Sequence, residues 1–183
     1  MSRNYKFQNP EGWYFVSFST VFWLNVFTRR IYKDCIVKHL NYCIKEKGMV
    51  LGAWIIMSNH VHLIFQAKNE NPQRLLQSFK SSIARELIEL IKANNKESKR
   101  ERYIWFMQLA AKRNKTTKNS IQFWQQHNKP IELWNNSAIQ KNLDYLHNNP
   151  VESGEVAEAY HYLYSSAIDY AGRKGLLNIH IMT

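Results

Sequence analysis

Between Met49 and Gln66 the chain carries two apolar runs separated only by Ser58-Asn59. Two extended segments joined by so short a connection fold back on each other as an antiparallel hairpin, with strands predicted over Met49–Met57 and His60–Gln66. The second arm alternates. Val61, Leu63 and Phe65 point to one face, and His60, His62 and Ile64 point to the other. Any fold for this chain must therefore hold a hairpin whose second strand begins with two imidazoles on one face. Such a His-x-His pair has two readings: ordinary strand histidines satisfied by backbone or water, or two ligands of a metal ion whose other ligands come from elsewhere in the chain.

The remaining segments are compatible with one sheet built around that hairpin. Trp13–Thr20 is aromatic and β-branched and reads as a further strand. Phe27–Ile31 reads as a loop in which Arg29 and Arg30 either meet phosphates or are simply solvated. From Lys33, apolar residues at Ile36, Val37, Leu40, Cys43 and Ile44 mark one face of a helix ending near Lys47-Gly48. Pro72 opens a second helix with an apolar stripe of Leu75, Leu76, Phe79, Ile83, Leu87, Leu90 and Ile91, and Lys80 and Arg85 lie off that stripe. Ile121–Gln126 alternates as a strand would, and Ile131–Trp134 extends or neighbours it. Asn135 or Asn136 caps a helix predicted from Ser137 to about His147, which Pro150 is expected to stop. Tyr145 and Asn149 are four apart and so share a face of that helix. The order predicts an α+β fold, a ferredoxin-like split βαβ with an antiparallel sheet and helices packed on one face of it.

At 183 residues the chain reads as a single domain, residues 1–183, with a basic insertion at about residues 92–118. A formal net charge of +11 points to a polyanionic partner. Much of that charge sits in the insertion, where Lys92, Lys96, Lys99, Arg100, Arg102, Lys112, Arg113, Lys115 and Lys118 face only Glu97 and Glu101. Within it Tyr103–Ala111 is expected to form a short helix between mobile flanks. The run Arg102-Tyr103-Ile104-Trp105 suits single-stranded nucleic acid, although a solvated charged face reads equally well. Cys35 and Cys43 fall eight apart on one predicted helix, too far for a disulfide, which favours a reducing, cytoplasmic setting. Met1–Asn9 lacks the apolar core of a signal peptide. Trp13–Phe27 is interrupted by polar residues and falls short of a membrane span.

If the His-x-His strand faces the Tyr145 helix, two imidazoles, an amide oxygen and a phenol meet at one place, a constellation suited to phosphoryl transfer. A tyrosine nucleophile conserves the energy of a broken phosphodiester in a phosphotyrosine ester. Its ordinary pKa near 10 means that it needs help in losing its proton.

Here the motifs carry a family likeness. Met57-Ser58-Asn59-His60-Val61-His62-Leu63 resembles the His-hydrophobic-His signature of single-tyrosine, HUH-type transposases of the IS200/IS605 type. Asp144-Tyr145-Leu146-His147-Asn148-Asn149-Pro150-Val151 resembles the tyrosine helix of their REP-associated branch. Phe123-Trp124-Gln125 through Ile131-Glu132-Leu133 and Tyr164-Ser165-Ser166-Ala167 extend the likeness, which spans residues 10 to 172. The resemblance implies a metal-dependent endonuclease and transposase that nicks and rejoins single-stranded, hairpin-forming DNA through a 5′-phosphotyrosine. In that frame Tyr145 is the nucleophile, and His60 and His62 hold a divalent metal, Mg²⁺ or Mn²⁺. Asn149 stands where insertion-sequence relatives have a glutamine ligand. Arg29, Arg30, Lys80, Arg85, Arg100, Arg102, Lys112 and Arg113 become candidate DNA contacts, on a protein expected as a monomer or homodimer. The basic insertion departs from the family pattern. Two other readings stay open: a catalytically silent protein that binds DNA hairpins, and an RNA-binding or RNA-processing protein.

Overall fold

The computed structural model describes residues 7–68, 71–114, 120–126 and 130–182. Its strands are β1 (Tyr14–Ser19), β2 (Met49–Ile56), β3 (His60–Ala67) and β4 (Ile131–Glu132). Its α-helices are α1 (Arg30–Glu46), α2 (Pro72–Ala93), α3 (Arg100–Arg113), α4 (Asn136–Glu152) and α5 (Ala167–Tyr170). The sheet order is β2-β3-β1-β4, and every neighbouring pair is antiparallel. β1 and β2 are joined through α1 and leave between them the space that β3 fills. This is the split βαβ arrangement predicted from the order of elements.

Alternation decides what each face of the sheet meets. Tyr14, Val16 and Phe18 of β1 lie in register with Phe65, Leu63 and Val61 of β3, and all six are buried. Against this face pack α1 and α2, the Phe18 ring meeting Phe79 of α2 edge-on. The α2 stripe is sealed at Leu75, Leu76, Phe79, Ile83, Leu87 and Ile91. Asn71 begins that helix by accepting a hydrogen bond from the backbone N–H of Gln73, and Pro72 occupies its first turn, where a missing N–H costs nothing. Gly48, with φ +68°, ends α1 in the left-handed conformation that favours glycine.

α1 begins at Arg30, inside the segment Phe27–Ile31 expected as a loop, and four larger features differ from the sequence-based expectation. The helices do not all share one face, because α4 crosses to the opposite side, where Tyr145 meets Phe15 and His62. Pro150 does not stop α4, which runs through it to Glu152. A proline in the last turn removes a single helical N–H, and the buried ring and the Ser153 hydroxyl donating to the Pro150 carbonyl hold the turn together. Ile121–Gln126 is not a strand. It touches the end of β1 through one bridge, Thr20 with Trp124, and β4 is confined to Ile131 and Glu132 opposite Phe15 and Tyr14. Finally, the helix expected at Tyr103–Ala111 is longer and firmly docked. Arg29 pairs with the buried Glu97 at 2.7 Å, and Tyr103 donates to the Asn25 carbonyl at 2.9 Å. Lys115 and Lys118 of the basic stretch lie outside the described residues, as do Arg3 and Lys6 of the N-terminal segment.

The outer edge of β2 is covered by the C-terminal segment. Ile56 donates to the Tyr164 carbonyl, Ser166 to the Trp54 carbonyl, and His180 to the Leu51 carbonyl. An edge so occupied is not offered to another chain. At Gly52, where the β2 register shifts, a Cβ would collide with the Met182 and Trp13 side chains, and the Gly52 carbonyl accepts from the Tyr170 hydroxyl. Tyr162 and Tyr164 pack into the core. Among the described residues no helix is long and apolar enough to cross a membrane.

Candidate active site

The site lies on the α4 face of the sheet, at the start of β3. His62 stands in register with Ser17 of β1 and Ile55 of β2, and its ring stacks on Phe15 with centroids 5.4 Å apart and planes inclined by 22°. His60 follows two residues earlier on the same face, its ring 4.7 Å from that of His62. From above, α4 brings Tyr145, whose ring meets His62 edge-on at 5.4 Å and Phe15 at 6.0 Å. Asn135 starts that helix by accepting from the Ala138 N–H at 2.7 Å, so the position of Tyr145 descends from a cap ten residues upstream. Phe15 and His62 flank the phenol ring while leaving Tyr145 48% exposed.

Hydrogen bonding assigns the orientation of the donors. Asn149 Nδ2 donates to the Tyr145 carbonyl at 2.9 Å, which turns its Oδ1 toward His60 Nε2, 3.4 Å away. His60 Nδ1 lies 2.7 Å from Asn59 Oδ1, an acceptor, so Nδ1 carries the proton and Nε2 presents its lone pair. Two lone pairs then face each other across 3.4 Å. Burial lowers the His60 pKa from its ordinary value against the opposing pull of Asn149, which keeps the ring neutral rather than filling the gap with a proton. His62 is more extreme: it is 3% exposed, and among the described residues neither ring nitrogen has a hydrogen-bond partner. Burial, with His60 adding to it, holds its pKa at about 3.

Buried polar atoms without partners are rare because each forfeits its hydration. Among the described residues such side-chain atoms are Trp54 Nε1, Asp169 Oδ2 and both ring nitrogens of His62, and only His62 belongs to the motif, its ring 4.7 Å from that of His60, whose Nε2 faces the Asn149 oxygen. His60 Nε2, a His62 ring nitrogen and Asn149 Oδ1 are of the nitrogen and oxygen donor types that a divalent cation takes. Two contributors were not apparent from spacing alone: Asn59, which sets the His60 tautomer, and Phe15, which backs His62. Asn59 precedes the motif directly, but its reading as a turn residue hid the role. His147, two residues from Tyr145, is turned away and bonds the Ser166 hydroxyl at 2.8 Å.

A second group of potential ligands lies on the other side of the sheet. Cys35 and His39 of α1 approach Glu86 of α2. Glu86 is already engaged by Lys38 at 2.9 Å and His39 at 2.8 Å, and burial pushes the Cys35 thiol up to about 12. Tyr145 of α4 lies on the opposite side of the sheet, against Phe15 and His62.

The candidate DNA contacts are distributed unevenly. Arg29 is committed to Glu97 and the Lys96 carbonyl, and Arg30 is exposed with a long contact to the Tyr164 hydroxyl. Lys80 and Arg85 sit on α2, across the sheet from His62. There they line a groove of about 770 Å³ with Gln122 and Trp124, and burial lowers Lys80 to about 8. Arg100 bonds Asn95, while Arg102, Lys112 and Arg113 are exposed on α3.

Comparison with known proteins agrees with the fold and the family likeness. The family described as "Transposase IS200 like" matches residues 17–125. Among solved structures, that of a REP-associated tyrosine transposase bound to a REP hairpin superposes with a TM-score of 0.50 at 18% identity. The match covers 100% of this chain and 94% of that one, and the likeness is one of fold. Comparison with curated protein sequences finds no match.

Proposed function

The chain belongs to the IS200-like transposase family, and from that premise we propose that it nicks and rejoins single-stranded, hairpin-forming DNA through a phosphotyrosine formed on Tyr145. The observation that most supports this reading is the meeting of β3 and α4. Residues 60 and 149 come within 3.4 Å although far apart in sequence, and the tyrosine ring lies 5.4 Å from His62.

In the proposed reaction Tyr145 Oη attacks the scissile phosphorus and gives up its proton. The bond from phosphorus to the 3′ oxygen breaks, and that oxygen leaves as a hydroxyl after taking up a proton. A 5′-phosphotyrosine diester remains, and attack by the 3′ hydroxyl of an incoming end reverses the step with the phosphodiester count conserved. His60, His62 and Asn149 would hold Mg²⁺ or Mn²⁺, which polarises the phosphate and stabilises charge on the leaving oxygen. Imidazole ligands favour Mn²⁺ of the two. The protein's own part is positional. Phe15 and His62 restrain the phenol ring, the Asn149 amide ties the donor set to the turn that carries Tyr145, and Asn59 keeps the His60 lone pair directed inward.

The test is adduct formation. A labelled hairpin oligonucleotide with a single-stranded flank, incubated with the protein and Mn²⁺, is expected to yield a covalent species whose DNA maps to Tyr145. Tyr145→Phe should bind the DNA within about twofold of the wild type and form no adduct. Cleavage undiminished in that variant removes the tyrosine from the mechanism. Hairpin binding without an adduct in any divalent metal makes the protein a hairpin-binding module, and tighter binding of an RNA of the same sequence moves the substrate class to RNA.

A further inference from the structure

Phe22 and Trp23 have φ of +53° and +50°, and among the described residues they are the only non-glycine positions in the left-handed region. Aromatic side chains are among the least suited to that conformation, and a turn that needed it for backbone reasons alone would be expected to carry glycine or asparagine. Strain of this kind persists where the surroundings hold it, and it clusters at functional positions. The strained turn does not bury its rings. Phe22 is 39% exposed and Trp23 62% exposed.

Helix α3 faces this turn with matching chemistry. The Phe106 ring lies 5.4 Å from Phe22, and the exposed Trp105 ring lies 4.8 Å from Phe106. The Arg102 guanidinium sits over Phe106 and that of Arg113 over Phe22, each 5.7 Å from the ring centroid. Among the described residues neither arginine is paired with a carboxylate. A guanidinium over a ring face has N–H groups to spare for phosphate oxygens.

The platform is joined to the candidate active site by short links. Asn59, whose Oδ1 orients His60, donates through Nδ2 to the Trp23 carbonyl at 3.4 Å and to Asn25 Oδ1 at 3.2 Å. Tyr103 of α3 donates to the Asn25 carbonyl. One side-chain amide therefore touches both the metal-site histidine and the turn that displays Trp23.

We propose that Phe22, Trp23 and Phe106, with Arg102 and Arg113, form a stacking platform for the unpaired DNA flanking the phosphodiester that Tyr145 attacks. The assignment rests on the nicking function proposed above and identifies where its single-stranded segment runs. Interleaved rings and unpaired guanidinium groups match a strand that alternates base faces with phosphates. A duplex hides its base faces in its own stack and cannot use the rings in this way. This choice of occupant also accounts for the exposure of Trp23, which core packing does not.

The test uses the full chain carrying Tyr145→Phe, so that no cleavage intervenes, and two fluorescent hairpins, one blunt and one with a short single-stranded flank. Trp23→Ala combined with Phe106→Ala is expected to weaken binding of the flanked hairpin about tenfold or more, and that of the blunt hairpin by less than about twofold. A 2-aminopurine in the flank should be quenched by the parent protein and not by the double variant. Trp23→Phe should restore most of the affinity, since a smaller ring still stacks. Equal losses on both hairpins, or unchanged binding of the flanked one, overturn the platform. Adduct formation by the wild-type chain is scored separately. A flank-specific loss without any adduct keeps the platform and removes the nicking function, whereas an adduct with no flank-specific loss does the reverse.

Discussion

The two faces of β3 come from alternate residues of the same eight-residue strand, yet they are built on opposite terms. Val61, Leu63 and Phe65 are sealed beneath α1 and α2 with no exposed surface. On the other face His62 is almost as deeply buried but leaves both ring nitrogens without a partner, and His60 turns a lone pair toward Asn149. The first face lowers the free energy of the fold by removing apolar surface from water. The second keeps unsatisfied donors at a stability cost, which is the expected sign of a site awaiting a ligand. Burial alone does not separate structure from function here; the fate of the polar atoms does.

This contrast is open to attack by substitution. The largest effect is expected from His62→Leu, which removes the orphaned nitrogens with little change in volume. Adduct formation in Mn²⁺ should fall by at least about a thousandfold. In chelator, urea unfolding should show the variant about 1–3 kcal/mol more stable than the parent. A variant clearly less stable than the parent would break the contrast. Next comes Leu63→Ala, one residue away on the sealed face. Its expected cost is about 2–5 kcal/mol in the same unfolding measurement, with the adduct rate of the remaining folded protein near that of the wild type. A lost rate at full stability would mean that the sealed face takes part in the chemistry.

Asn59→Ala probes the support of the open face. Without its acceptor, His60 Nδ1 is free to release its proton and reorient. The Mn²⁺ concentration for half-maximal adduct formation should therefore rise about tenfold to a hundredfold, while the rate at saturating metal changes little. An unchanged metal dependence would show that the Asn59 contact does not set the tautomer. The smallest effect is in pH. Burial holds His62 near pKa 3 and His147 near 4, below the ordinary value of 6.5. The unfolded chain thus binds protons below pH 6.5 that the folded chain refuses. Stability is full above that pH and is lost as the pH falls toward 4. Each of the two histidines contributes a slope of about 1.4 kcal/mol per pH unit in metal-free protein. Unfolding measured from pH 7.5 to 4.5 should show that loss, and His62→Leu should remove its share of it. An equal slope in the variant would place the loss elsewhere.

The sheet was largely legible in advance because its signals are local. The period of two along His60–Phe65 is a property of extended chain, and so is the assignment of both imidazoles to one face. The apolar stripe of α2, its opening at Pro72 and the cap at Asn135 likewise need only a few neighbouring residues to act. Errors arose where a local rule met a tertiary contact. Pro150 is a helix breaker by local preference, but in the last turn of α4, with its ring buried, it costs one hydrogen bond and is carried through. Ile121–Gln126 alternates like a strand, yet it meets the end of β1 only through the Thr20–Trp124 bridge and the Gln125 N–H on the Ser19 carbonyl. Composition predicts mobile flanks around the α3 helix, yet the flank before it is pinned through Glu97 and the helix itself through Tyr103, contacts no periodicity reveals.

The sequence by itself therefore determined that two histidines share a face of a central strand and that Tyr145 and Asn149 share a turn of a helix. Spacing within one element is set by backbone geometry. Only the tertiary structure decided that α4 crosses to the histidine face, and that the Asn149 amide turns its oxygen to His60. It also decided that Asn59 joins that site to the strained aromatic turn. Those outcomes depend on which surfaces the core leaves uncovered once α1 and α2 have sealed the other face, a question of packing between segments far apart in the chain. The pair at His60 and His62 becomes a candidate site only when α4 arrives from the far end of the sequence.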